Sequence, residues 1–548
     1  MKILLLLSTL LCIDISAYCQ DTLTSKDIPA AERVIGLQFK QAERDSLFAD
    51  VKNSIAEYNK MRQYKLDNSV PLSTWQTPVL PGMKFNMKQE KVKWNIPSNI
   101  SVPINKNELA FYSVLELASL IKHKKISSVE LTRFFIERLK KYGDTLQCIV
   151  SLTENIAMQQ AAQADAEIAG GKYRGPLHGI PYGLKDLFAV KGTKTTWGAA
   201  PYKDQRIEED AFVYTRLKEA GGVLIAKFTL GALAMGDYWY GGRTKNPWNL
   251  KRGSSGSSAG SAAATVAGLV PFAIGTETLG SIISPSTQCG ATGLRPSFGS
   301  TSRTGAMALS YSLDKIGPIC RSAEDAAVVF YFIHGTDGKD QAAVNMPFNY
   351  SGKVDLSKMK IAYAKNYFES GDTLGNELKV LEVYRSLGAQ IIPVDFPDSG
   401  VYNFDIIGPI ISAECAAQFD EFTRSELDDM MTRQGKRDWP NQFRSARFIP
   451  AVEYINAYRH RYLLMQKVNN VIKEYDVFIC PTYGGEQVAI TNLTGHPALC
   501  FPTGFNKNKL PTNITLVGNL YSEATLLAVA KAFQDATDFN KQHPDLFK

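Results

Sequence analysis

Two serine-bearing, glycine-lined segments and one lysine upstream of them carry the side chains best suited to chemistry. The serine segments are TKNPWNLKRGSSGSSAGSAAA at 244–264 and GTETLGSIISP at 275–285, and the lysine lies in HGIPYGLKDLFAVKGTKTTWG at 178–198. Glycine lets a backbone approach a ligand closely, and a serine hydroxyl becomes a nucleophile when a base takes its proton. The set favours a hydrolase that uses serine as nucleophile and lysine, in place of histidine, as base.

Lys185 can act as that base only when it is uncharged. Burial without a counter-charge lowers a lysine pKa from its reference of about 10.4 toward neutrality. The frame IPYGLKDLF around Lys185 is apolar, but Asp186 follows it directly and could keep the lysine charged. Taken alone, the residue is therefore more typical of a surface or ion-paired lysine.

The Gly/Ser run at 253–261 admits two other interpretations. Such a composition is usually a flexible linker, but apolar sequence, NPWNL and AAATVAGLVPFAIG, flanks this run on both sides. A glycine-rich loop that opens a helix also binds phosphates, but the sequence has neither GxxxxGK[ST] nor a GxGxxG after a strand. The histidines form no HExxH pair, and no GxSxG marks a Ser-His-Asp hydrolase.

Strand and helix patterns alternate around these residues from about residue 107. A helix is predicted for SSVELTRFFIERLKKYG, with Ser127 as its cap, Glu130 three residues on, and Gly143 as its end. The short apolar runs GGVLIAKF, KMKIAYA, AQIIPVDF, DVFICP and NITLVG predict buried strands. The predicted fold class is α/β, with a mixed central β-sheet covered by helices on both faces.

The sequence divides into three parts. Residues 1–20, MKILLLLSTLLCIDISAYCQ, have the layout of a secretory signal peptide, and their apolar run is too short for a membrane span. A lipidated cysteine is usually preceded by a small residue, whereas Tyr18 is large, which disfavours lipidation of Cys19. Residues 21–106 predict a helical N-terminal extension and then a proline-punctuated strap, and residues 107–548 predict the main domain.

Composition and charge exclude several classes of protein. The 548 residues are 45% hydrophobic and 21% charged, as in an ordinary globular protein, and no later stretch has the length or apolarity of a membrane helix. The net charge of +7 is spread over short clusters beside helical patterns, so no nucleic-acid binding is predicted. The six cysteines outside the signal region lack CxxC spacing, which favours buried free thiols over disulfides or zinc. No metal or cofactor is expected.

The stretch from about 178 to 321 resembles the amidase signature family. That family carries a lysine in a GxPxxxKD context, a GGSSGGSAAA-like run, a GTDTGGSIRxP-like segment, and then CGxxGxKPTxG and SLDxxGP. This sequence reads GIPYGLKD, GSSAGSAAA, GTETLGSIISP, CGATGLRPSFG and SLDKIGP in the same order. The resemblance implies the amidase signature fold for 107–548 and hydrolysis of a carboxylic amide to an acid and ammonia or an amine.

Position by position, the resemblance implies a catalytic role for three side chains. Ser281 would be the nucleophile, Ser257 the serine that relays the proton, and Lys185 the base. The peptide bond between Gly256 and Ser257 would be cis. The oxyanion hole would consist of four backbone N–H groups, those of Thr278, Leu279, Gly280 and Ser281.

Three positions depart from the family pattern. Glu277 stands where the family has Asp, Leu279 where it has Gly, and Ile283 where it has Arg. Leu279 still offers its backbone N–H, although its side chain would narrow the pocket. The changes at 277 and 283 are at supporting positions and indicate a subgroup with different residues around the site.

Two alternatives to a hydrolytic amidase stay open from the sequence. The resemblance extends to the glutamine-hydrolysing subunit of tRNA-dependent amidotransferases, a cytoplasmic protein, which the signal peptide disfavours. A catalytically inactive relative that only binds is disfavoured because all three catalytic side chains are present. The sequence predicts a secreted or periplasmic amidase for a small-molecule amide, with residues 233–239 and 406–448 choosing the substrate; the particular amide and the oligomeric state do not follow from it.

Overall fold

The computed structural model describes residues 23–35, 37–63, 77–370, 375–398 and 404–548. The predicted signal peptide, residues 1–20, lies outside these ranges. Helices and strands alternate through most of the described chain, as the sequence pattern predicts.

The helices of the described residues range from one turn to six. In chain order they are α1 (Ile28–Ile35), α2 (Gln41–Arg62), α3 (Val114–Lys122), α4 (Ser128–Leu146), α5 (Glu154–Ala169), α6 (Phe212–Glu219), α7 (Ala259–Val266), α8 (Ile283–Cys289), α9 (Ala323–Ile333), α10 (Lys365–Glu369), α11 (Asn376–Ser386), α12 (Phe404–Gln418), α13 (Asp420–Arg424), α14 (Trp439–Ala446), α15 (Ala451–Ile472), α16 (Gln487–Thr494) and α17 (Glu523–Thr537).

The strands of the described residues form one large sheet and two short hairpins. In chain order they are β1 (Ile149–Leu152), β2 (Pro181–Lys185), β3 (Val223–Phe228), β4 (Tyr238–Trp239), β5 (Gly242–Arg243), β6 (Lys245–Asn246), β7 (Asn249–Gly253), β8 (Ala273–Glu277), β9 (Thr292–Arg295), β10 (Lys315–Cys320), β11 (Lys360–Ala364), β12 (Gln390–Val394), β13 (Val477–Pro481), β14 (Ala498–Phe505) and β15 (Pro511–Gly518).

The large sheet is mixed. Its strand order is β1-β3-β2-β8-β10-β9-β14-β15-β13-β11-β12. The β2–β3, β2–β8, β11–β12 and β11–β13 pairs are parallel, and the others are antiparallel. All five apolar runs lie in this sheet, as β3, β11, β12, β13 and β15, so the predicted α/β class is confirmed. The prediction of burial is wrong for β12, which lies at the edge of the sheet and has only exposed and partly buried residues.

Both faces of the sheet are buried under helices. Along β13, Val477 and Ile479 join one apolar core and Phe478 and Cys480 join another, because side chains alternate between the two faces of a strand. Residues of α9 and α17 belong to the first core, and residues of α12 and α15 belong to the second. The near-continuous apolar character of these strands follows from burial on both sides.

The sequence pattern predicts the start of helix α4 correctly and its end wrongly. The Ser127 hydroxyl accepts from the Glu130 N–H, and the Glu130 carboxylate accepts from the Ser127 N–H, which confirms the predicted capping box. The predicted end at Gly143 is wrong: the helix continues to Leu146 and ends at Gln147, whose φ is 50°. Ile149 packs against Gly143: a Cβ there would lie 2.3 Å from the Ile149 Cδ1 atom, so that side chain would have to move.

The part of the chain before residue 107 packs helix α2 on the C-terminal half of the protein, and α1 is paired to α2. Arg44 of α2 donates two hydrogen bonds of 2.7 Å to Glu32 of α1. Helix α2 contacts α12 and α14, and Glu43 lies 3.0 Å from the Arg444 guanidinium. Residues 77–105 contain neither helix nor strand. The division of the chain into parts 1–20, 21–106 and 107–548 stays a prediction.

Candidate active site

Two parallel neighbouring strands bring the lysine and the second serine segment to one edge of the sheet. Strand β2 ends at Lys185, and β8 ends at Glu277, after which a short loop, residues 278–280, leads to Ser281. Parallel strands place their carboxyl ends at the same edge, where open α/β sheets bind their ligands. The Gly/Ser run, which connects β7 to α7, reaches the same region, since its Ser257 hydroxyl lies 2.7 Å from the Lys185 amine.

Lys185 contacts a cluster of hydroxyl groups. Its amine donates to the Ser257 Oγ atom at 2.7 Å, to the Ser258 Oγ atom at 3.1 Å and to the Thr276 Oγ1 atom at 2.8 Å. The backbone carbonyl of Thr276 lies 3.4 Å from the same amine. An uncharged amine in this position can also accept the proton of the Ser257 hydroxyl.

Burial lowers the pKa of Lys185 to about 7, although the carboxylates of Asp314 and Glu277 act in the opposite direction. Asp186 does not hold the lysine charged, so that alternative from the sequence is wrong. The Asp186 carboxylate lies 2.9 Å from the Lys227 amine and accepts from the backbone N–H of Thr196 at 2.8 Å. Adjacent strand residues point to opposite faces, which explains why neighbours in sequence have different partners.

The peptide bond between Gly256 and Ser257 is cis, as predicted. Ser257 is buried beside Lys185. A methyl group on Gly256 would lie only 1.8 Å from the Gly236 carbonyl oxygen, so this position admits no side chain. The backbone and the lysine together fix the Ser257 hydroxyl in place.

Ser281 lies at the end of a loop with free backbone donors. Within the described chain, no hydrogen bond uses the N–H groups of residues 278–281 as donors. Gly280 has a φ of 77°, a conformation that glycine adopts without strain. The Ser258 N–H donates to the Ser281 carbonyl at 3.1 Å, which joins the two serine segments directly. Four unpaired donors beside one serine provide a ready site for a developing negative charge.

Glu277 braces the start of α8 behind Ser281. Its carboxylate accepts from the backbone N–H groups of Ile282 at 2.8 Å and Ile283 at 2.9 Å. Its other oxygen lies 3.1 Å from the Arg295 guanidinium and accepts from the Asn492 amide at 2.8 Å. Burial alone would raise the pKa of Glu277, but Arg295 and the Ile283 N–H hold it below its usual value.

Arg295 is a residue that the sequence analysis did not single out. It lies fully buried in the CGATGLRPSFG motif, so a signal for it was present. Its second guanidinium nitrogen donates to the His496 carbonyl at 2.9 Å. It supplies a buried positive charge beside the loop, whereas Ile283, at the family's arginine position, contributes only its backbone N–H.

Asp314, in the SLDKIGP motif, holds the other side of the loop. The Thr278 hydroxyl donates to one carboxylate oxygen at 2.6 Å, and the backbone N–H groups of Leu309 and Ser310 donate to the other at 2.7 and 3.0 Å. Burial raises its pKa, although these hydrogen bonds act against that effect. A cavity of about 240 Å³ opens here, lined by Thr276, Thr278 and Asp314 among others.

A second cavity, of about 400 Å³, lies between the two segments that the sequence predicts for substrate choice. We call it the aromatic cavity. One wall carries Met235, Tyr238 and Trp239, from residues 233–239, and the opposite wall carries Met431, Arg433 and Trp439, from residues 406–448. The structure thus places parts of both predicted segments around one space.

The remaining sequence predictions concern cysteines, metals and membranes. Cys148, Cys289, Cys320, Cys415, Cys480 and Cys500 are buried and free, as predicted. Among the described residues, no group of three His, Cys, Asp or Glu side chains is arranged to hold a metal ion. No helix in these ranges combines the length and apolarity needed to cross a membrane.

A family model described as Amidase matches residues 130–491. The chain belongs to the amidase signature family. The resemblance drawn from the sequence motifs is therefore confirmed, and the match contains all of the motifs quoted for it.

Relatives of this amidase signature chain carry different names, and the solved structures among them share its fold. A glutamyl-tRNA(Gln) amidotransferase subunit from Coxiella burnetii is 33% identical over 483 residues, which cover 79% of this chain and 99% of that protein. The peptide amidase from Stenotrophomonas maltophilia superposes with a TM-score of 0.70 at 26% identity, covering 79% of this chain and 98% of that one. An amidase family protein from Bacillus anthracis superposes with a TM-score of 0.72 at 25% identity, covering 80% of this chain and 94% of that one. The amidase signature fold is thus confirmed.

Proposed function

We propose that this chain hydrolyses a carboxylic amide through an acyl-enzyme on Ser281, with Ser257 as the proton relay and Lys185 as the base. The observation that carries this proposal is the contact of 2.7 Å between the Lys185 amine and the Ser257 hydroxyl, next to the cis peptide bond. A lysine whose pKa is about 7 is uncharged in a large fraction of molecules at neutral pH.

The first half of the reaction forms the acyl-enzyme. Uncharged Lys185 accepts the Ser257 proton, Ser257 accepts the Ser281 proton, and the Ser281 oxygen attacks the amide carbonyl. The backbone N–H groups of residues 278–281 stabilise the oxyanion; in other enzymes the loss of one such donor costs about 3 kcal/mol. The proton then returns through Ser257 to the nitrogen, the carbon–nitrogen bond breaks, and ammonia or an amine leaves.

The second half reverses the proton path with water. Lys185, again uncharged, accepts a proton through Ser257 from a water molecule that attacks the ester carbonyl of acyl-Ser281. The tetrahedral intermediate collapses, Ser281 recovers its proton, and the acid is released. The same three side chains serve both halves, so removal of any one is expected to lower turnover severely.

A direct test compares variants on a panel of aliphatic, aromatic and peptide amides. Ser281→Ala and Lys185→Ala are each expected to lower kcat/KM by about a thousandfold or more. Ser261→Ala is the matched control, because Ser261 is a buried serine of the same segment whose hydroxyl donates to the Ile274 carbonyl. Undiminished hydrolysis in the Ser281 or the Lys185 variant would overturn the proposal.

Glutamine hydrolysis within an amidotransferase is the second candidate, and the 33% identity to a glutamyl-tRNA(Gln) amidotransferase subunit favours it. A subunit of this kind would release ammonia for a partner that uses it. Free glutamine then becomes the substrate to test, with and without the partner subunits. Glutamine as the only substrate, hydrolysed only with those subunits present, would select this candidate over a self-sufficient amidase.

We also propose that residues 1–20 direct the chain out of the cytoplasm, because they combine a basic start with a short apolar run and small residues. The test is N-terminal sequencing of the protein from secreted and periplasmic fractions. A mature chain that lacks about twenty residues is expected, and a full-length chain confined to the cytoplasm would contradict the proposal.

A further inference from the structure

The aromatic cavity is lined mainly by aromatic and thioether side chains. Tyr238 and Trp239 of β4 form one side with Met235, and Met431 and Trp439 form the other. Rings and methionine sulfur interact favourably with other aromatic groups. A space of about 400 Å³ is within the ordinary range of ligand pockets, and it holds an aromatic ring with its attachment.

Both arginines at the cavity already have anionic partners. The Arg433 guanidinium lies 3.0 Å from Asp438 and 4.5 Å from the centre of the Tyr238 ring. Arg243 lies 3.1 Å from Asp237 and 4.9 Å from the same ring. Since each positive charge is balanced by a carboxylate, the cavity has no charge that calls for an anionic ligand, and its chemistry favours an uncharged one.

One wall of the cavity continues directly into the candidate active site. The Gly236 carbonyl packs against Gly256, the residue before the cis bond. Asp237 accepts a hydrogen bond of 3.2 Å from the Ser255 N–H. Ala234, two residues before Gly236, lines the cavity beside Thr276 and Thr278. The turn at 234–237 therefore touches the Gly/Ser segment and borders both cavities, since Ala234 lines one and Met235 lines the other.

The opposite wall is held in position by side chains outside the cavity. The Trp439 indole N–H donates to the Leu233 carbonyl at 2.8 Å, which ties α14 to the turn. The Trp439 ring stacks on Phe443 at 4.8 Å, and Phe443 stacks on Phe419 at 5.3 Å. A wall fixed in advance loses little conformational entropy when a ligand binds.

We infer that the aromatic cavity binds an uncharged aromatic group of the amide substrate, on either the acyl or the amine side of the scissile bond. The assignment rests on the amidase activity proposed above. It names the substrate class as aryl-bearing amides and makes Tyr238, Met431 and Trp439 determinants of specificity.

The test uses two matched pairs of amides. Propionamide and 3-phenylpropionamide differ by a ring on the acyl side, and acetamide and N-benzylacetamide differ by a ring on the amine side. In the native protein, kcat/KM is expected to be at least about tenfold higher for the aromatic member of one pair, which identifies the side of the bond that enters the cavity. No preference in either pair would overturn the inference.

Variants then locate the preference in this cavity. Thr432→Trp narrows the aromatic cavity from an exposed position of its lining and is expected to remove the preference for the aromatic amide. Met430→Trp is the matched control, since Met430 is 58% exposed and outside the lining. Tyr238→Ala, which removes one aromatic face, is expected to raise KM for the aromatic amide alone.

The outcomes separate this inference from the proposed function. An aromatic preference that survives both Thr432→Trp and Tyr238→Ala would overturn the inference and leave the amidase intact. A native protein that hydrolyses other amides of the panel but none of these four would overturn the inference alone. A Ser281→Ala variant as active as native would overturn the amidase mechanism and the inference with it.

Discussion

The dependence of amide hydrolysis on pH is expected to follow the protonation of Lys185. Burial lowers the pKa of this lysine to about 7, and only the uncharged amine can accept the Ser257 proton. Half of the molecules are then active near pH 7, and below it the active fraction falls about tenfold for each pH unit. At pH 5, kcat/KM is expected to be about 1% of its value on the alkaline plateau.

Removing a negative charge near Lys185 checks that this lysine is the group whose titration sets the pH profile. The carboxylates of Asp314 and Glu277 raise the pKa of Lys185 against the effect of burial. Asp314→Asn keeps an oxygen that can accept from the Thr278 hydroxyl and removes the negative charge. The midpoint of the pH profile is therefore expected to move to lower pH in this variant, because the charged lysine has lost a favourable neighbour.

The assay is kcat/KM from pH 5 to 10 at constant ionic strength, with far-UV circular dichroism at each pH to show that the protein stays folded. The native midpoint is expected near 7. A profile that is flat over this range, or a midpoint near the ordinary lysine value of about 10.4, would refute an uncharged buried lysine as the base. A midpoint that moves to higher pH in Asp314→Asn would refute the electrostatic explanation.

Three further predictions follow from the packing around the site. Arg295→Met leaves the buried Glu277 carboxylate without its cation. This change is expected to lower the free energy of unfolding, measured by chemical denaturation, by about 3–5 kcal/mol. Adding Glu277→Gln to it is expected to restore part of that loss. Gly256→Ala puts a methyl group 1.8 Å from the Gly236 carbonyl oxygen and is expected to lower kcat/KM at least about tenfold in a protein that still folds; native activity would contradict the close approach. Between its lowered pKa and its ordinary pKa, Lys185 binds fewer protons in the folded protein than in the unfolded chain. The free energy of unfolding of the native protein, measured relative to Lys185→Met, is therefore expected to rise with pH above 7, by at most about 1.4 kcal/mol per pH unit. A difference between the two proteins that does not depend on pH would contradict the lowered pKa.

Local patterns predicted the elements of the fold well. The strands β3 and β13 and the start of α4 follow from apolar runs and a capping box, because burial on both sheet faces and a free N–H group impose simple rules on sequence. The end of α4 was predicted wrongly, since Gly143 looks like a helix stop and is in fact the place where Ile149 packs. That contact depends on the next strand, which a local pattern does not contain.

The sequence predicted which residues form the site, whereas the partners of the residues around it became known only from the structure. Lys185 and Ser257 are 72 residues apart and meet at 2.7 Å, and only the ordered motifs of the family connected them in the sequence. The partner of Asp186 was not predictable in this way, because Lys227 reaches it from the neighbouring strand β3. The CGATGLRPSFG motif contains Arg295, but its pairing with Glu277 was not predictable, since it joins two strands that are not neighbours in the sheet.

The most direct test of the central claim is mass spectrometry of the protein during turnover of an amide, after rapid acid quenching and proteolysis. The acyl group is expected on the peptide that contains Ser281, at the mass of the substrate's acid less one water, and it is expected to disappear when hydroxylamine is added. The Lys185→Ala variant is expected to show no acyl group on the turnover timescale. Turnover with the acyl group on Ser257 or on any residue other than Ser281 would contradict the account.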